Sequence, residues 1–162
     1  MITVVDTNSL IGLAKGGVLH FLPELFDVVR IPSAVFNEVA VAGAGRPGAA
    51  EVTVARDKWL TVETPPPPGH QLQAANLAPA DRELLSLAGA VHANWVITDD
   101  RPARAVAQSM GLQPVHTVEL VLAMRQLQLI PLCRVVLERM RAADFGIRDD
   151  LYEAVLRLAG EL

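Results

Sequence analysis

Six carboxylates in this 162-residue chain hold positions from which they could do chemistry: Asp6, Glu38, Asp81, Glu83, Asp99 and Asp100. Each has an ordinary use taken alone. Asp6, in Asp6-Thr7-Asn8-Ser9, can cap a helix, Asp81 and Glu83 can serve the positive end of a helix dipole, and Glu38 can sit on a solvated helix face. Gathered together they mean more, because crowded like charges repel and raise one another's pKa unless a cation sits among them. Oxygen ligands select Mg²⁺ or Mn²⁺ over zinc, and few protein ligands leave water and open positions on the ion, as phosphoryl chemistry requires. What matters is whether the elements bring these acids to one place.

The elements predict that they do. Ile2 to Val5 is a short β-branched run of the buried parallel type, and Asp6 ends it. Residues 9–15 and 18–26 read as helical, broken near Gly16-Gly17. Val28 to Ile31 is a second strand stopped by Pro32, and Ser33 caps a helix to about Ala42 that carries Glu38. A loop (43–48), a helix (49–57) and a third strand (59–62) follow. Pro65 to Pro68 make 64–69 an extended surface loop. A helix over 79–93 holds Asp81 and Glu83 near its start. A fourth strand (95–98) runs into Asp99-Asp100, followed by a helix over 102–110, a short fifth strand at Val115, and helices over 117–128, 131–143 and 149–160. Alternating strands and helices imply a parallel sheet covered on both faces, with ligands bound outside the carboxyl ends of the strands. Asp6 and the Asp99-Asp100 pair, from two different strands, arrive at that same edge.

Composition narrows the class. The chain is 51% hydrophobic and 20% charged, too apolar for disorder and long enough for one domain with a real core. A lone cysteine excludes an internal disulfide or a Cys-rich zinc module, and 4% aromatics argues against a stacking platform for single strands. A net charge of −4 gives no general pull on nucleic acid, so such a ligand needs a bound cation or a local arginine patch. No apolar run reaches membrane-spanning length, and Asp6 interrupts any signal-like start, so a cytoplasmic protein is expected.

In order, Val4-Val5-Asp6-Thr7-Asn8, Pro32-Ser33-Ala34-Val35-Phe36-Asn37-Glu38-Val39, Asp81-Arg82-Glu83-Leu84-Leu85-Ser86-Leu87-Ala88 and Val96-Ile97-Thr98-Asp99-Asp100-Arg101 resemble the motifs of the PIN-domain ribonucleases. The likeness spans about residues 2–116. The tail from Phe145-Gly146-Ile147 to Leu158-Ala159-Gly160-Glu161 is similar to one prokaryotic branch of PIN-like proteins, many without assigned function. The resemblance implies a single domain over 1–162: a three-layer α/β/α sandwich with about five parallel strands as its core (2–116) and a helical extension (117–162). It also implies Mg²⁺- or Mn²⁺-dependent cleavage of RNA, frequently as the toxin of a VapBC-type pair with a small antitoxin protein as partner. Asp6 matches the first-strand aspartate, Glu38 the second-helix glutamate and Asp100 the aspartate of the Thr-x-Asp signature, with Asp99 an extra acid beside it. At the third acid Glu83 fits the register, while Asp81, two residues earlier, has the expected side-chain length. The reading favours Glu83 as catalytic and keeps Asp81, with Asp6, Asp99 and Asp100, among the metal ligands. Thr7, Asn8, Ser9 and Thr98 match polar positions that orient ligands or waters.

Other signals carry less. His20, His70, His92 and His116 show no metal-ligand spacing and read as surface or core residues. Cys133 reads as a small buried hydrophobe, Asp150 with Glu153 as a capping box, and Gly43 to Gly48 lacks a P-loop pattern. Arg101 and Arg104 follow the Asp pair on one helix, placed either to contact phosphate oxygens or to balance the acids. Arg139, Arg141 and Arg148 are placed to form either a local basic patch for RNA or, as is more frequent, a solvated face. The sequence thus predicts a metal-dependent endoribonuclease, with a catalytically silent PIN-like binding module as the alternative. A phosphoacceptor receiver is disfavoured, since Glu63-Thr64-Pro65 and His116-Thr117 lack its aspartate and lysine. A haloacid-dehalogenase-type phosphatase would need a second Asp where Asn8 stands. Apolar residues on more than one stripe of 117–128 and 131–143 predict a homodimer.

Overall fold

Five short strands form one parallel sheet in the order β3-β2-β1-β4-β5: β1 (Ile2–Val5), β2 (Val28–Pro32), β3 (Leu60–Glu63), β4 (Trp95–Ile97) and β5 (Gln113–Val115). This is seen in a computed structural model that describes residues 1–162. The β-branched β1 lies at the centre, with Val4 opposite Arg30 of β2 and opposite Val96 of β4. Its side chains alternate between two cores. Val5, with Ile97 of β4, faces a large apolar layer, and Val4, with Val96, faces a smaller one.

Helix α1 (Thr7–Lys15) lies in the larger layer, joined by the one-turn α2 (Leu22–Leu25) and by α4 (Ala49–Arg56). The same layer takes α8 (Thr117–Gln126), α9 (Cys133–Ala142) and α10 (Asp149–Leu158). Helices α5 (His70–Ala74), α6 (Pro79–Ala90) and α7 (Arg101–Ser109) cover the opposite face through Leu72, Leu84, Leu85, Ala103 and Ala107. Helix, sheet and helix make the three-layer α/β/α arrangement.

Three segments differ from expectation. Residues 18–26 are not one helix: a 3-10 turn (Leu19–Phe21) gives way to α2, whose early Pro23 has no N–H to continue a helix from the preceding turn. The helix expected from Ser33 to Ala42 is split into α3 (Ser33–Phe36) and a π-helical turn (Asn37–Val41). The short α5 follows the proline loop, with Leu72 its one buried residue. On α8 and α9 most of the surplus apolar side chains are covered within the chain: Leu120, Val121, Met124, Val136, Leu137 and Met140 are all buried. Only Leu132 and Val135 of those two stripes remain clearly exposed.

Candidate active site

After β1 the chain leaves toward β2, and after β4 it leaves toward β5, so the carboxyl ends of β1 and β4 open onto a crevice. Asp6 enters it first. Its N–H donates to the Ile97 carbonyl at 3.0 Å, which ties it to β4. Its Oδ1 accepts from the Ser9 N–H at 2.7 Å and caps α1. Burial raises the Asp6 pKa, and the nearby Asp99 charge adds to the rise, against hydrogen bonds from Ser9 and Thr98 that lower it. Asp100 is held in the same way on the neighbouring strand. It caps α7, its Oδ2 accepting from the Ala103 N–H at 2.9 Å, while its own N–H donates to Thr98 Oγ1 at 3.2 Å.

Glu38 reaches the crevice from the π-helical turn, closed by a 2.7 Å bond from the Ala42 N–H to the Asn37 carbonyl, five residues back. The turn brings the chain close to itself, and a Cβ on Gly43 would lie 2.5 Å from the Val39 carbonyl oxygen. Glu38 Oε2 accepts from the Thr7 hydroxyl at 2.9 Å, so the residue beside Asp6 orients it.

The third acid that the structure brings to the crevice is Asp81, whereas Glu83, favoured from the sequence, does not line it. Proline at the start of α6 fixes where the helix begins, and Asp81 lies in its first turn, facing the crevice. Glu83, two residues on, is turned by about 200° around the helix and does not line it. Burial, then the charges of Asp6, Asp100 and Glu38, push the Asp81 carboxyl up to about 6.

Together Asp6, Glu38, Asp81, Asp99 and Asp100, with Thr7 and Asn8, line an open cleft of about 480 Å³. None of these five acids is paired with an arginine or lysine. As they stand, no three of them converge tightly enough to enclose an ion. Asp99 lines the cleft and is also bonded on its far side. Its Oδ1 accepts from the Thr117 N–H (2.9 Å) and lies 3.1 Å from His116 Nδ1, and its Oδ2 lies 2.6 Å from the Thr117 hydroxyl. Thr117 Oγ1 also lies 2.9 Å from Ser9 Oγ, so Ser9 supports this junction. Asp99 therefore anchors the start of α8. His116, set aside on sequence, is brought to Asp99 because β5 lies next to β4 and ends one residue before it. The order of β4 and β5 would have shown this; ligand spacing could not. Arg101 and Arg104 line a second cavity beside the cleft.

The carboxyl-end crevice with its crowded carboxylates sits at the sheet edge of a three-layer α/β/α domain. The PIN-domain family model matches residues 2–161, and the chain belongs to that family. A PilT N-terminus domain protein from the hyperthermophilic archaeon Sulfolobus solfataricus P2 shares the fold, with a TM-score of 0.55 and 20% identity over 74% of this chain and 90% of that one. No curated protein matches. No helix is long and apolar enough to cross a membrane.

Proposed function

We propose that this protein is a metal-dependent endoribonuclease acting at the Asp6–Glu38–Asp81–Asp100 cleft. The observation that carries the reading is five carboxylates lining one cleft with no arginine or lysine among them, where burial and then the neighbouring charges raise Asp81 to about 6. An all-oxygen donor set of this kind suits Mg²⁺ or Mn²⁺, which Asp6, Asp81 and Asp100 would hold after drawing together around it. Such an ion supplies charge stabilisation for the pentacoordinate phosphorus and the departing oxygen.

The protein's own groups do the rest. Asp6 and Asp100 are fixed by backbone N–H donors at helix starts, so their remaining lone pairs face the cleft in set directions. Glu38, held through Oε2 by Thr7, keeps Oε1 free to take a proton from the attacking water. The family resemblance implies in-line attack with the 3′-oxygen leaving, which gives a 5′-phosphate and a 3′-hydroxyl.

The toxin role, with a small antitoxin as partner, fits the same cleft: four carboxylates without cations would accept one arginine or lysine from a partner. The catalytically silent module is the competing reading. Incubating purified protein with single-stranded RNA and Mn²⁺, against Asp6→Asn and Asp100→Asn, separates them. Cleavage by the wild type alone supports the nuclease, and equal inactivity with poor Mn²⁺ binding by calorimetry supports the silent module.

A further inference from the structure

Beside the acid cleft lies a second cavity of about 430 Å³, and Asp99 is the one residue lining both. The two are opposite in charge. Five carboxylates and no cation line the first, whereas Arg101, Arg104 and Arg148 line the second against Asp99 alone. Asp99 itself is occupied by Thr117 and His116. In a chain of net charge −4, three of fourteen basic side chains thus meet at one edge of the acid site.

The walls are built from separate elements. On α7, Arg101, Arg104, Ala105 and Gln108 recur at helical spacing, so one face of that helix forms one wall, and the small Ala105 leaves it open. Arg104 is held in place by a 3.0 Å bond from Nη1 to the Thr98 carbonyl, at the end of β4. Arg101 makes no ion pair, and Arg148 has only an exposed 3.4 Å pairing with Asp150, which a phosphate can displace at little cost. Val118, Ile147 and Leu151 add apolar lining from α8, the loop after α9 and α10. Guanidinium groups and apolar side chains lining one cavity match the two halves of a nucleotide, its phosphate and its base.

We infer that this cavity is a nucleotide subsite for the RNA strand: Arg101 and Arg148 grip the phosphate next to the one at the acid cleft, and the Val118–Ile147–Leu151 wall receives the adjoining base. It rests on the nuclease reading for the choice of RNA, but its own evidence is the arginine cavity. The helical extension then contributes directly to substrate binding, since Arg148, Ile147 and Leu151 all belong to it.

The test is fluorescence anisotropy with a labelled single-stranded 12-nucleotide RNA in EDTA, where no cleavage intervenes. Arg101→Ala/Arg148→Ala should weaken binding roughly tenfold and lower the slope of log affinity against log salt by about one to two. Ala105→Phe, on an exposed position of α7, fills the cavity without changing charge and should weaken binding too. Arg134→Ala, on α9 and outside both cavities, should bind as the wild type does. Unchanged affinity and salt slope in the double variant overturn the subsite, as does loss of affinity for poly-glutamate without loss for RNA, which would make it a peptide site. Failure of the nuclease reading looks different: arginine-dependent binding in EDTA with no cutting when Mn²⁺ is restored.

Discussion

Asp81 and Glu83 stand two residues apart on α6, and the helix start decides between them. Because Pro79 opens α6, Asp81 faces Asp6 and Asp100 while Glu83 turns aside. Asp81→Asn should therefore cut RNA cleavage by about 100-fold or more, as should Asp6→Asn and Asp100→Asn, while Glu83→Gln should keep most of it. Cleavage rates with matched Mn²⁺ decide this, and the reverse order would restore Glu83. A second expectation concerns the metal-free protein. The folded Asp81 carboxyl, at about 6, binds its proton more tightly than the unfolded one at 3.8. Through that window the native state holds more protons, so its stability falls as pH rises from about 4 to 6. Asp81→Asn should then stabilise the metal-free protein at pH 7 by about 1 kcal/mol, after discounting for solvent screening, read from urea unfolding in EDTA. Mn²⁺ affinity of the wild type should climb over the same window, as the carboxylates must lose their protons to bind. At this scale Asp6, Glu38 and Asp100 were legible because strand ends and helix caps leave marks in sequence. That the structure brings Asp81 rather than Glu83 to the cleft, and ties Asp99 to Thr117 and His116, turns on where a side chain points, which residue spacing leaves open.

Among the elements, the π-helical turn at Asn37–Val41 was invisible to pattern reading, since Val35, Phe36 and Val39 suit an ordinary helix equally well. It depends on Gly43, whose missing Cβ allows the close approach to the Glu38 and Val39 carbonyls. Gly43→Ala should shift the turn, cost about 1–3 kcal/mol of stability and reduce cleavage by loosening the Thr7–Glu38 bond. Thermal melts together with activity test it, and a variant with wild-type stability and rate would show that the turn tolerates a side chain. Likewise α5 escaped notice because a five-residue helix with one buried leucine shows no period. The strands, by contrast, were read to within a residue or two, because a buried parallel strand leaves an unbroken β-branched run bounded by polar or turn residues.

For the whole molecule, the apolar excess on α8 and α9 that pointed to a homodimer is mostly used inside the chain. What remains outside of it is Leu132 and Val135, and Leu127, Leu158 and Leu162 from the segments after α8 and around the end of α10 are exposed as well. We propose two-fold pairing through this remnant, and it predicts that Leu158→Asp shifts the light-scattering mass at micromolar concentration from twice 17.4 kDa to that of one chain. A wild type already monomeric would remove the dimer. The helical extension also holds α1 in place, because Phe145 packs where Gly12 has no side chain. That coupling lies outside any local pattern and depends on close packing between distant segments.

The strand order has a consequence for the cell that makes the protein. Central β1 is synthesised first, yet its β4 neighbour comes far later: Ile2 bonds to Asn94, 92 residues away, and Ser9 meets Thr117, 108 residues away. At about 5–20 residues per second, Asp6 waits roughly 5–20 s on the ribosome before Asp100 and the junction behind it exist. Until β4 has been made, a nascent chain of this topology holds Asp6, Glu38 and Asp81 without Asp100, so the cleft is incomplete until β4 pairs with β1.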